Sequence, residues 1–107
     1  TYIIKEPQSP TFVSWHQDLT YWGFSHDDQI SVWLALSSAD EISGAMYMIP
    51  GSHLEGKKEH KTIEDATNVL FQSQWVQEFD ESKKTLCSLK AGEASFHHGW
   101  TIHSSMT

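Results

Sequence analysis

Regular structure is interrupted at short intervals along this chain. Pro7, Pro10, Gly44, the triplet Pro50-Gly51-Ser52 and the run Lys90-Ala91-Gly92-Glu93 divide it into short pieces, and proline and glycine are the strongest local breakers of strands and helices. Apolar residues alternate within the pieces. The clearest case is I-S-V-W-L-A-L at 30–36, where Ile30, Val32, Leu34 and Leu36 share one face and Trp33 and Ala35 take the other. Strand-like stretches also occupy 2–5, 12–18, 45–49, 85–89 and 94–98, the last leading toward His103. Residues 24–29 read as a polar loop and 53–61 as a charged, exposed segment. Residues 62–79 are the exception. Ile63, Ala66, Val69 and Leu70 fall at helical spacing, although β-branched residues and Asn68 weaken a helix there. One short helix or an irregular loop is expected. Many short strands separated by turns predict a mainly-β fold, either a sandwich, a barrel or a jelly roll.

At 107 residues the chain has room for one domain at most. Fourteen acidic residues against seven basic ones give a formal charge of −7. That argues against nucleic acid and against anionic membranes, both of which need clustered positive charge. Five Trp, three Tyr and five Phe imply large apolar surfaces and suit a ligand cleft. The one cysteine, Cys87, has apolar neighbours. It is expected to be a buried free thiol, which excludes a disulfide scaffold or a zinc-cysteine site. No apolar run is long enough to span a bilayer, and no signal peptide opens the chain. A cytoplasmic setting is therefore the default expectation. Thr1 lies within a strand-like run and the chain stops shortly after His103. The expectation is a single partial domain over 1–107, incomplete at both ends. Its exposed strand edges could pair with a second copy to form a homodimer.

The chemistry is concentrated in Ser14-Trp15-His16-Gln17-Asp18 and in the distant His103. Residues i and i+2 of a strand point to the same face, roughly 6.5–7 Å apart at the backbone. His16 and Asp18 can thus converge on one ion, and a third ligand must come from a neighbouring strand. Two imidazoles and one carboxylate in the order H-x-D…H form the facial triad of non-haem Fe(II) oxygenases, which leaves one side of the metal open. Spacing alone also allows two polar residues on an exposed strand face. The apolar and aromatic flanks, 12–15 and 19–22, favour a lined pocket instead.

Four stretches occur together in a familiar order: W-H-Q-D-L-T-Y-W (15–22), S-V-W-L-A-L (31–36), G-A-M-Y-M-I-P-G-S-H (44–53) and K-A-G-E-A-S-F-H-H-G-W-T-I-H-S-S-M (90–106). In this order they resemble the phytanoyl-CoA dioxygenase-like proteins. These are Fe(II)- and 2-oxoglutarate-dependent oxygenases built on a double-stranded β-helix, a jelly roll of the cupin type. The resemblance runs from Lys5 to the end and is weakest over 62–84. It implies that His16 and Asp18 are the proximal iron ligands and His103 the distal one, with His98–His103 matching the family's H-x-x-x-x-H spacing. Adjacent His97 and His98 point to opposite faces and are not expected to ligate, His98 being better suited to hydrogen bonding near the site. Ser105 matches a hydroxyl placed against the far carboxylate of 2-oxoglutarate. Lys5 matches a lysine reaching the same region, and Trp33 a tryptophan bordering the co-substrate pocket, with core packing as its alternative. Gln17 points away from the ligands and reads as structural. Gly51 would supply a positive φ in the Pro50–His53 turn, braced by Ser52 and His53, while His26 and His60 are expected to be solvated.

The resemblance also implies an arginine beyond the distal histidine, whose planar fork would grip the co-substrate carboxylate. The chain carries seven lysines and no arginine, so 1–107 alone is expected to hold 2-oxoglutarate weakly. The activity implied is hydroxylation of an unactivated C–H bond in a small organic substrate, using molecular oxygen. Asp18 separates the chain from the halogenating branch of such enzymes, in which a small residue replaces the carboxylate. Two other classes remain open. One is a non-oxidative cupin-like metalloprotein, an isomerase or binding module, using the same His/Asp/His site. The other is an inert jelly-roll fragment.

Overall fold

The computed structural model describes residues 10–22, 29–70 and 74–105. The expected strand at 2–5, Lys5 and His26 lie outside those residues.

The described chain is mainly β. In order it forms β1 (Val13–His16), a single helical turn α1 (Leu19–Trp22), β2 (Ile30–Leu34), β3 (Met46–Met48), a 3-10 turn (Ser52–Glu55), β4 (His60–Thr62), β5 (Gln74–Val76), a second 3-10 turn (Glu81–Lys83), β6 (Thr85–Cys87), β7 (Ala94–His98) and β8 (His103–Ser105). Three sheets result, all antiparallel. The largest has the order β1-β8-β3-β6, and the pairs β2-β7 and β4-β5 form the other two. Strands from the two ends of the sequence are therefore hydrogen-bonded neighbours. This is the long-range pairing that a jelly roll requires and that no local pattern encodes. The described strands do not close into a barrel.

The β1-β8 ladder carries an irregularity. Val13 faces Ser105 and His16 faces His103, so β1 uses one more residue than β8 over the same span. Such a bulge bends the strand and re-aims the side chains that follow it. As a result Ser14, Trp15 and His16 are all buried, which strict alternation would not allow. Trp15 joins Ile49, Val76 and Ile102 in the core, with Tyr47, Trp75 and Phe79 packed against them. The Trp15 and Phe79 rings lie 5.1 Å apart.

The expected turn at Pro50–His53 is present. Gly51 has φ 75°, a conformation that costs glycine nothing. The buried Ser52 hydroxyl donates to the Ile49 carbonyl at 2.7 Å and accepts the Ile102 N–H at 2.9 Å. That pair of bonds ties the turn to the residue preceding His103.

Residues 62–79 hold no helix among the described residues, contrary to the apolar spacing. Asn68 directs its side chain to Ser14, accepting from its backbone N–H at 3.3 Å and donating to its hydroxyl at 2.9 Å. Asp65 accepts from the backbone and hydroxyl of Thr67. Local bonds of this kind compete with a helical ladder. Ile63 and Val69, which defined the apparent stripe, are exposed. Cys87 is also only partly buried, since its strand β6 lies at the sheet edge.

The alternation in β2 is realised, but its apolar face turns outward. Ile30, Val32, Leu34 and Leu36 are exposed, as is Phe96 opposite Val32 on β7. Ala35 is buried, and Ser31 and Trp33 are partly so. The inward face thus carries the polar Ser31, paired in register with His97.

Candidate metal centre

His16 ends β1 and His103 begins β8, and the two residues are register partners. Their rings lie 4.2 Å apart at 51°. Each ring is held in the same way. His16 Nδ1 lies 2.7 Å from the carbonyl of Ser14, and His103 Nδ1 lies 2.9 Å from that of Thr101. A carbonyl only accepts, so Nδ1 carries the proton in both rings. In the neutral imidazole Nε2 is then a bare lone pair, the state a metal ligand needs.

Asp18 reaches the same point from a turn rather than from the strand expected for it. β1 stops at His16, and Asp18 sits just before α1. The intervening Gln17 makes this geometry rigid. Its side chain is fully buried, donating to the carbonyls of Gly56 (2.8 Å) and Trp100 (2.9 Å) and accepting the Lys58 N–H at 2.8 Å. Its backbone N–H donates to His60 Nε2 at 3.1 Å. His60 is therefore not the solvated residue expected. It is partly buried and serves as a backbone acceptor. Burial lowers its pKa below the ordinary 6.5, opposed by its bond to Lys58 and aided by positive charge at His16 and Lys57.

Asp18 Oδ1 lies 3.2 Å from His16 Nε2 and 3.3 Å from His103 Nε2. The three ligand atoms fall within 4.8 Å of one another. Two imidazole lone pairs facing a carboxylate oxygen repel one another unless a proton or a metal ion lies between them, so the donor set fits a cation. Burial alone would raise the Asp18 pKa. In the metal-free protein a proton takes the place between ring and carboxylate: hydrogen bonds shared with His103, His16 and His97, and then attraction from His103, outweigh burial and hold the carboxyl far below the usual range. The carboxylate is thus available as an anionic ligand.

The remaining expected residues divide. Ser105 donates to the Gly44 carbonyl at 2.8 Å. Trp33 lies on the inward side of β2, on the face of Ser31. His98 accepts the Trp100 N–H at 3.0 Å and stands 5.3 Å from the His53 ring, bracing the turn before β8. His97, also not expected to ligate, does not belong to the converging set. Its Nε2 nevertheless lies 3.1 Å from Asp18 Oδ2. Ser31 donates to that same oxygen at 3.2 Å. Neither contact was visible from motifs. The signal for them was the β2-β7 register, which only the folded sheet defines.

Among the described residues no helix is long and apolar enough to cross a membrane. The sequence model of a family described as phytanoyl-CoA dioxygenase matches residues 1–107. The chain is 29% identical over 102 residues to a probable alpha-ketoglutarate-dependent hypophosphite dioxygenase of Stutzerimonas stutzeri, covering 94% of this chain and 36% of that protein. It is 32% identical over 104 residues to phytanoyl-CoA dioxygenase 1 of Oryza sativa subsp. japonica, covering 97% of this chain and 36% of that one. It therefore spans little more than a third of the length of these curated relatives. Among solved structures, the non-heme monooxygenase ThoJ in its apo form superposes with a TM-score of 0.75 at 30% identity, over 92% of this chain and 35% of that one. EvdO2 from Micromonospora carbonacea var. aurantiaca, complexed with 2-oxoglutarate, gives a TM-score of 0.76 at 24% identity over 94% and 40%. The latter likeness is one of fold.

Proposed function

Because the chain belongs to the phytanoyl-CoA dioxygenase family, we propose that the protein is an Fe(II)- and 2-oxoglutarate-dependent dioxygenase whose iron is held by His16, Asp18 and His103. The observation that carries this reading is the convergence of Nε2, Nε2 and Oδ1 at one point, with both Nδ1 atoms committed to carbonyls. Bound iron and 2-oxoglutarate would supply activation of molecular oxygen, coupled to decarboxylation of the co-substrate to succinate. The chain's own part is to hold three ligands on one side, keep Asp18 ionised and leave the opposite side open for small molecules.

Residues 1–107 would form a partial jelly-roll catalytic core. Trp33 would border the co-substrate, and Ser105 and Lys5 would lie toward its far carboxylate. The reaction proposed is hydroxylation of an unactivated C–H bond in a small organic substrate, with Asp18 occupying the place a halide would need. The relatives carry names as different as hypophosphite and phytanoyl-CoA dioxygenase. The family alone therefore does not select a substrate.

The test is anaerobic thermal unfolding with Fe(II), then with Fe(II) and 2-oxoglutarate, for the parent sequence and for His16→Ala. A ligand that binds only the folded state stabilises it by about 2.7 kcal/mol at a hundredfold excess over Kd. A rise with metal that is lost in His16→Ala, followed by a further rise with 2-oxoglutarate, is expected. A metal effect without a co-substrate effect would leave two explanations, the absence of an arginine from 1–107 or a non-oxidative cupin-like protein, and a longer sequence that supplies the arginine separates them. No metal effect would refute the triad.

A further inference from the structure

Asp18 uses its two carboxylate oxygens differently. Oδ1 faces His16 and His103. Oδ2 faces the β2-β7 pair, where His97 Nε2 lies at 3.1 Å and the Ser31 hydroxyl at 3.2 Å. Ser31 and His97 are direct register partners. One cross-strand pair thus presents two donors to one oxygen. His97 is buried, with its ring 4.5 Å from that of His103. Its Nδ1 is buried and has no hydrogen-bond partner among the described residues. This fits the tautomer with the proton on Nε2, because a buried N–H without an acceptor costs more than a lone pair without a donor.

We infer that His97 and Ser31 form a clamp that holds Asp18 Oδ2 away from the metal, so that Asp18 binds through Oδ1 alone. A carboxylate free to pivot could bring both oxygens onto the ion and occupy a position otherwise open to a small molecule. The clamp prevents this by satisfying Oδ2 from a separate sheet. His97 and Ser31 are therefore positioning residues that act through Asp18, and their role rests on the triad reading above.

The experiment compares the parent sequence with His97→Phe, His97→Gln and Ser31→Ala. Mn(II) affinity is measured by calorimetry, and the ligand shell of the Co(II)-loaded protein by X-ray absorption. His97→Phe is expected to weaken Mn(II) binding by about 10–100-fold, as loss of an outer hydrogen bond to a ligand does elsewhere. It should also shift the carboxylate toward two-oxygen coordination while the number of imidazoles stays constant. His97→Gln, which keeps a donor, should recover most of the affinity, and Ser31→Ala should lose a few-fold. If His97→Phe does not fold, Ser31→Ala at its partly exposed position carries the test through the same two measurements. Unchanged affinity and ligand shell in folded variants would overturn the clamp, as would the loss of one imidazole from the ion in His97→Phe, which would make His97 a ligand. If the parent sequence binds no Mn(II) or Co(II), the triad reading fails instead, and the two failures are thereby distinguished.

Discussion

His16 and His103 are register partners on adjacent antiparallel strands, and each donates its Nδ1 proton to the carbonyl of the residue two positions before it. The shared local geometry turns both Nε2 atoms toward Asp18 Oδ1. Ring orientation is thus set in large part by the backbone path, which makes the candidate site sensitive to anything that moves β1, β8 or the turn carrying Asp18.

Asp18→Asn should retain the fold and lose metal-dependent stabilisation. The amide removes the anionic ligand that His16 and His103 face. Differential scanning fluorimetry with and without Mn(II) checks this: the metal-induced rise in Tm should disappear in the variant.

Gln17→Ala should cost roughly 3 kcal/mol in urea unfolding. The substitution leaves the partly buried N–H of Lys58 and carbonyls of Gly56 and Trp100 without the Gln17 partner they now have, where a fully buried group left unsatisfied costs about 1–3 kcal/mol. Gln77→Ala, at an exposed position, should change stability by no more than about 0.5 kcal/mol. Equal effects would mean that Gln17 is not the bracket described.

Gly99→Ala should destabilise the chain by about 1–3 kcal/mol, the usual cost of overpacking. A Cβ there would overlap the Leu19 side chain and crowd Gln29 Oε1. Leu19 follows Asp18 directly, and its N–H donates to the Gly99 carbonyl at 3.1 Å. Mn(II) affinity should therefore fall together with the urea midpoint. A loss of stability with unchanged affinity would separate this packing from the site.

The metal-free protein should lose stability as the medium is acidified, in part through His60. Its pKa is lowered in the folded state from 6.5, first by burial. The unfolded chain then binds more protons than the folded one between the two values, so stability rises with pH there. The contribution is complete above 6.5 and is lost as pH falls below it toward the folded value. Urea midpoints over roughly pH 5–8, where histidines titrate, should fall less steeply in His60→Gln than in the parent sequence. Parallel curves would remove His60 as a source.

Much of the site could be read from the residues, but not how it is built. H-x-D with a distant His singled out three residues whose donor atoms the fold brings within 4.8 Å of one another, because few residue types bind metal and their chemistry survives any local misjudgement. The same short range left 62–79 open between a helix and an irregular loop: Ile63, Ala66, Val69 and Leu70 have helical spacing, and the loop prevails because Asn68 bonds instead to Ser14 across the fold. His60, expected in solvent, became an acceptor for Gln17 because β4 is carried against the end of β1.

Sequence alone determined which groups could act and that short strands would carry them, since side-chain chemistry and turn residues are local properties. The tertiary structure decided which face of β2 turns inward, how a bulge buries three consecutive residues of β1, and that Ser31 and His97 share one oxygen of Asp18. A period of two distinguishes the faces of a strand without saying what lies opposite either one. Register between strands distant in sequence, set only when the sheets pair and pack, supplies that information.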